Sequence, residues 1–159
     1  VLKDWPTLPL TLPRVRGARR SLAIVPSAPS PASFRLIRSL AEHLGRREPS
    51  RSIVVAGKTS DDDRLMSYAN VFATGAVTAG EIGDVLAPHR PGWLLTDFES
   101  PAFGHPLVEA ARRASIPVAY RDWSAGSIKP RKRDLAIPTD ADDCELVEAV
   151  IAWIERSRP

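Results

Sequence analysis

Short apolar runs alternate with longer segments of helical period along this chain. SLAIVP (21–26), SIVVAG (52–57), NVFATG (70–75), GWLLTD (92–97) and IPVAYRD (116–122) are nearly continuous in apolar residues. Runs of this kind predict strands buried on both faces, because a half-exposed strand alternates apolar with polar positions. RDLAIP (133–138) predicts a further short strand. Between them, FRLIRSLAEHL (34–44) places Phe34, Leu36, Ile37, Leu40, Ala41 and Leu44 on one helical face, with Ser33 as N-cap and Gly45 as C-cap. SDDDRLMSYA (60–69) opens on capping and acidic residues and predicts a short helix. Thr78 opens another over AGEIGDVLAPH, closed by Pro88 and Pro91. Residues 106–114 predict an alanine-rich helix, and Asp140–Arg156 a last one with Leu146, Val147, Val150, Ile151 and Ile154 inward.

This alternation predicts an α/β fold: a three-layer α/β/α, Rossmann-like parallel sheet of about six strands in a single domain. Residues 1–20, rich in Pro and Arg without a sustained period, read as a lead-in segment or linker, which leaves 21–159 as the domain. Parallel sheets bind ligands outside the carboxyl ends of their strands, at the topological switch point. The loop PSAPSPAS (26–33), the pair Gly57-Lys58 and the turn before residue 106 all follow strands, so they are the candidate crevice.

Composition narrows the classes without choosing among them. A chain of 159 residues, 43% hydrophobic and 26% charged, suits one globular domain. The longest apolar runs are only a few residues, so no transmembrane segment is expected. The opening residues lack the apolar core of a signal peptide, and a start on Val rather than Met suggests a piece of something longer. Cys144 stands alone, which excludes an internal disulfide and leaves a cytoplasmic setting as the expectation. The net charge of +3 is spread over clusters such as Arg14–Arg20, Arg112/Arg113 and KPRKR (Lys129–Arg133), with few aromatics between them. Nucleic-acid binding is therefore not expected, although Lys129–Arg133 stays open as a binding segment. His43, His89 and His105 show no metal spacing, and the Asp61-Asp62-Asp63 run is explained by capping, so no metal is expected.

The most informative stretch is SPAFGHPLVEA, Ser100 to Ala110. A turn that delivers a helix N-terminus presents unpaired amides and a positive dipole end to an anion. FGHPLVEA (103–110) resembles the FGLPLLEA-type segment of the nucleotide-sugar-binding, C-terminal half of GT-B glycosyltransferases of group 1. The segments around it keep the family's order: IVVAGKTSDDDRL, NVFATGAVTAGEIGDVLAPHRPGWLL, then the motif, then IPVAYRD, over roughly residues 21–157. The resemblance implies that Gly104, His105, Pro106 and Leu107 face the donor's phosphates and sugar, and that Glu109 accepts the two ribose hydroxyls. It implies transfer of a sugar from a nucleoside-diphosphate sugar to a glycan or lipid-linked acceptor, with no further cofactor. An N-terminal acceptor-binding domain of the same polypeptide would complete the cleft, so this chain alone is expected to be inactive. The resemblance also places the enzyme in the cytoplasm, peripheral to the inner face of the membrane.

The chain departs from the family at the residues that handle charge. The glutamate the family places eight residues before Glu109 is Pro101 here, and Glu99 lies two residues earlier still. The loop after the first strand, where the family has an Arg or Lys pair, is PSAPSPAS, whose Ser27, Ser30 and Ser33 carry no charge. A lost charge-assisted contact is worth about 1.5–3 kcal/mol. Lys58 and Arg121 are the nearest replacements by topology, and Trp123 is a candidate to stack a base. No catalytic residue is assigned. These departures support an alternative, a degenerate GT-B-like domain with a non-catalytic binding or structural role. A flavodoxin-like binding domain is a third reading, which the glycine-poor PSAPSPAS loop disfavours.

Overall fold

The computed structural model describes residues 10–14, 21–26, 28–97, 101–121 and 128–157. Six strands form one sheet: β1 (Ser21–Pro26), β2 (Ser52–Val55), β3 (Val71–Ala73), β4 (Pro91–Asp97), β5 (Val118–Arg121) and β6 (Leu135–Ile137). All neighbours are parallel, in the order β3-β2-β1-β4-β5-β6. The helices are α1 (Pro31–Arg47), α2 (Asp62–Met66), α3 (Ile82–Leu86), α4 (Pro101–Arg113) and α5 (Asp143–Arg156).

Successive side chains of a strand point to opposite faces, and here both faces are covered. Leu22 and Ile24 of β1 join Ile53, Val55, Trp93 and Leu95 in a core sealed by α1, α2 and α5. Ala23 and Val25 join Val54, Ala56 and Leu94 in a second core sealed by α3 and α4. The expected three-layer arrangement follows directly from this division. Every residue of β1 is buried, as a central parallel strand requires.

Local chemistry explains most element ends. Asp142 and Glu145 form a reciprocal capping box at α5, and the Asp61 carboxylate accepts from the Arg64 amide at α2. Both ends of α1 differ from the sequence reading, and α3 starts at Ile82 rather than directly after Thr78. Ser30 caps α1 by accepting from the Ser33 amide, and Pro31 takes the first helical position, where its missing N–H costs nothing. Gly45 lies inside α1, which runs to Arg47; there the glycine faces the Asn70 side chain, whose amide donates to the Ala41 carbonyl at 3.1 Å. Tertiary contact with Asn70 thus carries the helix past its expected stop.

The lead-in segment contributes to the core. Leu10 and Leu12 are buried in the α3–α4 layer. Arg113 of α4 donates to the Leu10 carbonyl at 3.2 Å, and Arg14 donates to the Arg113 carbonyl at 3.3 Å. Gly83 of α3 permits this approach, since any Cβ there would collide with the Thr11 carbonyl oxygen.

Candidate functional site

The sheet order reverses between β1 and β4, which makes the space beyond Pro26 and Asp97 the switch point. Connections from a parallel strand return through a helix, so the N-terminal ends of α1 and α4 face this space. The loop after β2 joins them. Gly57, at φ 142°, sits where a Cβ would lie 3.1 Å from Cγ of Pro26, and it bridges to Gly75. Lys58 therefore flanks the crevice on the β1 side. Arg121 flanks it on the β4 side, since it ends β5 and Tyr120 pairs with Thr96.

Lys58 is not free to act alone. Its ammonium lies 3.0 Å from the Asp62 carboxylate. That carboxylate also accepts from the Thr59 amide at 2.9 Å and from the Thr59 hydroxyl. Burial pushes the Asp62 carboxyl up, but the Thr59 hydrogen bonds and Lys58 outweigh it and hold the group below the ordinary aspartate value.

The α4 helix begins at Pro101, not at residue 106. Proline suits a first helical position, so the helix starts a turn earlier than the Gly104-His105-Pro106 signal suggests. The amides without a helical acceptor are then those of Ala102 and Phe103, while Gly104 and His105 fall within the ladder. Pro106 interrupts that ladder, because it offers no N–H to the Ala102 carbonyl. Leu107 is fully buried against the sheet, a packing position. Glu109 is exposed, and its carboxylate meets the Arg112 guanidinium at 3.4 Å. Glu99, Trp123 and Ser27 lie outside the described residues.

One group at the crevice escaped the sequence reading. The Thr96 hydroxyl, one residue before the end of β4, is buried without a hydrogen-bond partner. A buried hydroxyl in this state is an exception among native polar groups. The only trace of it in the sequence is a threonine closing an otherwise apolar run. Charge is divided along the sheet axis. Asp61, Asp62, Asp63, Asp142 and Asp143 open helices at the carboxyl end of the sheet, and Arg46, Arg47, Arg112, Arg113 and Arg156 close helices at its other end. Among the described residues, no group of His, Cys, Asp and Glu is arranged to hold a metal ion.

No protein-family model and no curated protein matches the sequence. Solved structures do match the fold. The C-terminal domain of a group 1 glycosyl transferase, LpcC of Francisella tularensis, superposes with a TM-score of 0.63 at 14% identity, over 91% of this chain and 77% of that one. TarM of S. aureus, in a complex that contains UDP, matches with a TM-score of 0.65 at 14% identity, over 91% of this chain. The pneumococcal O-GlcNAc transferase GtfA, in complex with UDP and GlcNAc, gives 0.63 at 16% identity, also over 91%. The chain spans only 30% of the length of TarM or GtfA. It has the Rossmann-like fold of the C-terminal domain of a GT-B, group 1 glycosyltransferase.

Proposed function

We propose that this chain is the nucleotide-sugar-binding half of a glycosyltransferase that moves a sugar from a nucleoside-diphosphate donor to a glycan or lipid-linked acceptor. The observation that carries the reading is the switch point between β1 and β4, where the N-terminal ends of α1 and α4 face one crevice in a domain of group 1 fold. Two helix N-termini supply amides and a positive field for a diphosphate without a metal. In this reading the free amides of Ala102 and Phe103 meet the phosphates, Gly104, His105 and Pro106 continue the first turns of α4 behind them, and Leu107 anchors the helix. Glu109 takes the ribose hydroxyls after releasing Arg112. In the same reading Lys58 and Glu99 contribute the polar lining. Catalysis needs a second, acceptor-binding domain in the same polypeptide, in a cytoplasmic enzyme at the membrane face. No helix among the described residues is long and apolar enough to cross a membrane.

Specific observations favour a second reading, a degenerate domain that binds or stabilises without catalysis. No cation occupies the loop after β1, Pro101 replaces a glutamate, and both Lys58 and Glu109 already have ionic partners. Calorimetric titration with UDP, GDP and their sugars, beside Glu109→Ala, separates the two. Binding that disappears in the variant supports the donor site. A folded chain that binds none of these ligands up to millimolar concentration rejects it in favour of the degenerate domain.

A further inference from the structure

The edge of the sheet opposite the crevice holds a cavity of about 280 Å3. It lies where α4 ends and β5 and β6 begin, roughly 20 Å from the switch point at the rise of an extended strand. Its polar lining is Arg112, Ser115, Arg131, Lys132, Arg133 and Asp134. Four cations thus face one carboxylate.

That carboxylate is fully used by the fold. Asp134 accepts from the Arg112 guanidinium at 3.0 Å, the Arg131 amide at 3.0 Å and the Val118 amide at 3.3 Å. Arg131 and Lys132 are exposed, and neither side chain meets an acceptor among the described residues. Arg133 makes only a long contact, 3.4 Å to the Ser157 carbonyl.

A run of exposed cations usually signals nothing more than solvation, but here the backbone that carries them is held in place. Arg112 donates to the Lys129 carbonyl at 2.6 Å, and the Asp134 amide donates to the Arg131 carbonyl at 2.9 Å. The Trp153 indole of α5 donates to the Arg133 carbonyl at 2.7 Å. A loop fixed from α4 and α5 loses little freedom on binding, and preorganisation of this kind favours affinity. Arg112 is neutralised by Asp134 and Glu109, but Arg131, Lys132 and Arg133 line the concavity without a carboxylate partner among the described residues, which makes it complementary to a compact polyanion. The volume approaches the lower bound of small-ligand sites, about 300 Å3, which leaves room for a phosphate and part of the group that bears it.

We propose that this cavity is a second anion site, distinct from the crevice, which binds a phosphate group through Arg131, Lys132 and Arg133. The phosphate belongs either to a soluble phosphorylated molecule or to an anionic lipid headgroup. The test is titration of the 159-residue chain with inorganic pyrophosphate at low ionic strength, and cosedimentation with phosphatidylglycerol or phosphatidylcholine vesicles. Each is repeated with Arg131→Gln/Lys132→Gln, whose exposed positions should leave the fold intact, with circular dichroism as the check. A saturable pyrophosphate site that weakens about tenfold or more in the double variant supports the proposal. Vesicle binding restricted to phosphatidylglycerol and lost with the same substitutions identifies the headgroup as the source; pyrophosphate binding without vesicle binding identifies a soluble ligand. Pyrophosphate and vesicle binding that both survive the double substitution, or the absence of both in the unmodified chain, overturns it. Titration with UDP in the same variant stays unchanged if the two sites are separate.

Discussion

The Glu109 carboxylate lies 3.4 Å from the Arg112 guanidinium, which also holds Asp134 at 3.0 Å. One arginine thus joins the candidate ribose ligand of α4 to the loop that bears the basic cavity. Its two contacts differ in kind, because the Glu109 side chain is 56% exposed and that of Asp134 only 4%.

Solvent screens the exposed pair, so Glu109→Ala should change stability by no more than about 0.5 kcal/mol. Urea denaturation checks this. If it holds, any loss of nucleotide binding in the variant reports the site and not the fold. A large destabilisation would remove Glu109→Ala as a control for binding.

The buried contact should behave differently. Asp134→Ala leaves the Arg112 guanidinium, 10% exposed, with only the exposed Glu109 as partner and frees two backbone amides. Removing one partner of a buried pair costs about 3–5 kcal/mol. A loss below about 1 kcal/mol in equilibrium unfolding would mean that the loop is not held this way.

Acid should weaken the loop after β2. The Asp62 carboxyl is held below its ordinary value, so the folded chain binds this proton less readily than the unfolded chain. Its stabilisation is complete above the unfolded aspartate value and is lost as pH falls below about 4, through the folded value. Stability measured from neutral pH downward should therefore fall less steeply in Asp62→Asn, which should already be weaker at neutral pH. Identical slopes would count against the role of Thr59 and Lys58.

Gly83→Ala tests whether the lead-in segment belongs to the domain. The added methyl meets the Thr11 carbonyl, and overpacking of this kind costs about 1–3 kcal/mol. The variant should lose stability and become cleavable near Leu10–Arg14 in limited proteolysis. An unchanged digest and unchanged stability would show that the segment does not pack on α3.

Much of the fold was legible because its causes are local. Continuous apolar runs become strands, and the acidic residues after Ser60 and at Asp142 become helix starts, through contacts within a few positions. The ends that depend on distant groups were not legible. Gly45 reads as a stop until Asn70 packs against it, and Leu10 and Leu12 read as linker until α3 and α4 cover them. The candidate site divides in the same way. FGHPLVEA marks the right loop, but the start of α4 at Pro101 moves its free amides a turn earlier, and Thr96 looks like any strand residue.

By itself the sequence determined which segments are strands and helices, and that they make a parallel sheet covered on both faces, because period and capping act over single turns. Only the tertiary structure decided that β4 lies beside β1, which sets where the crevice opens. It alone brought Arg112 to the Lys129–Asp134 loop, because contacts between elements far apart in sequence depend on how the sheet is wound and leave no local pattern to read.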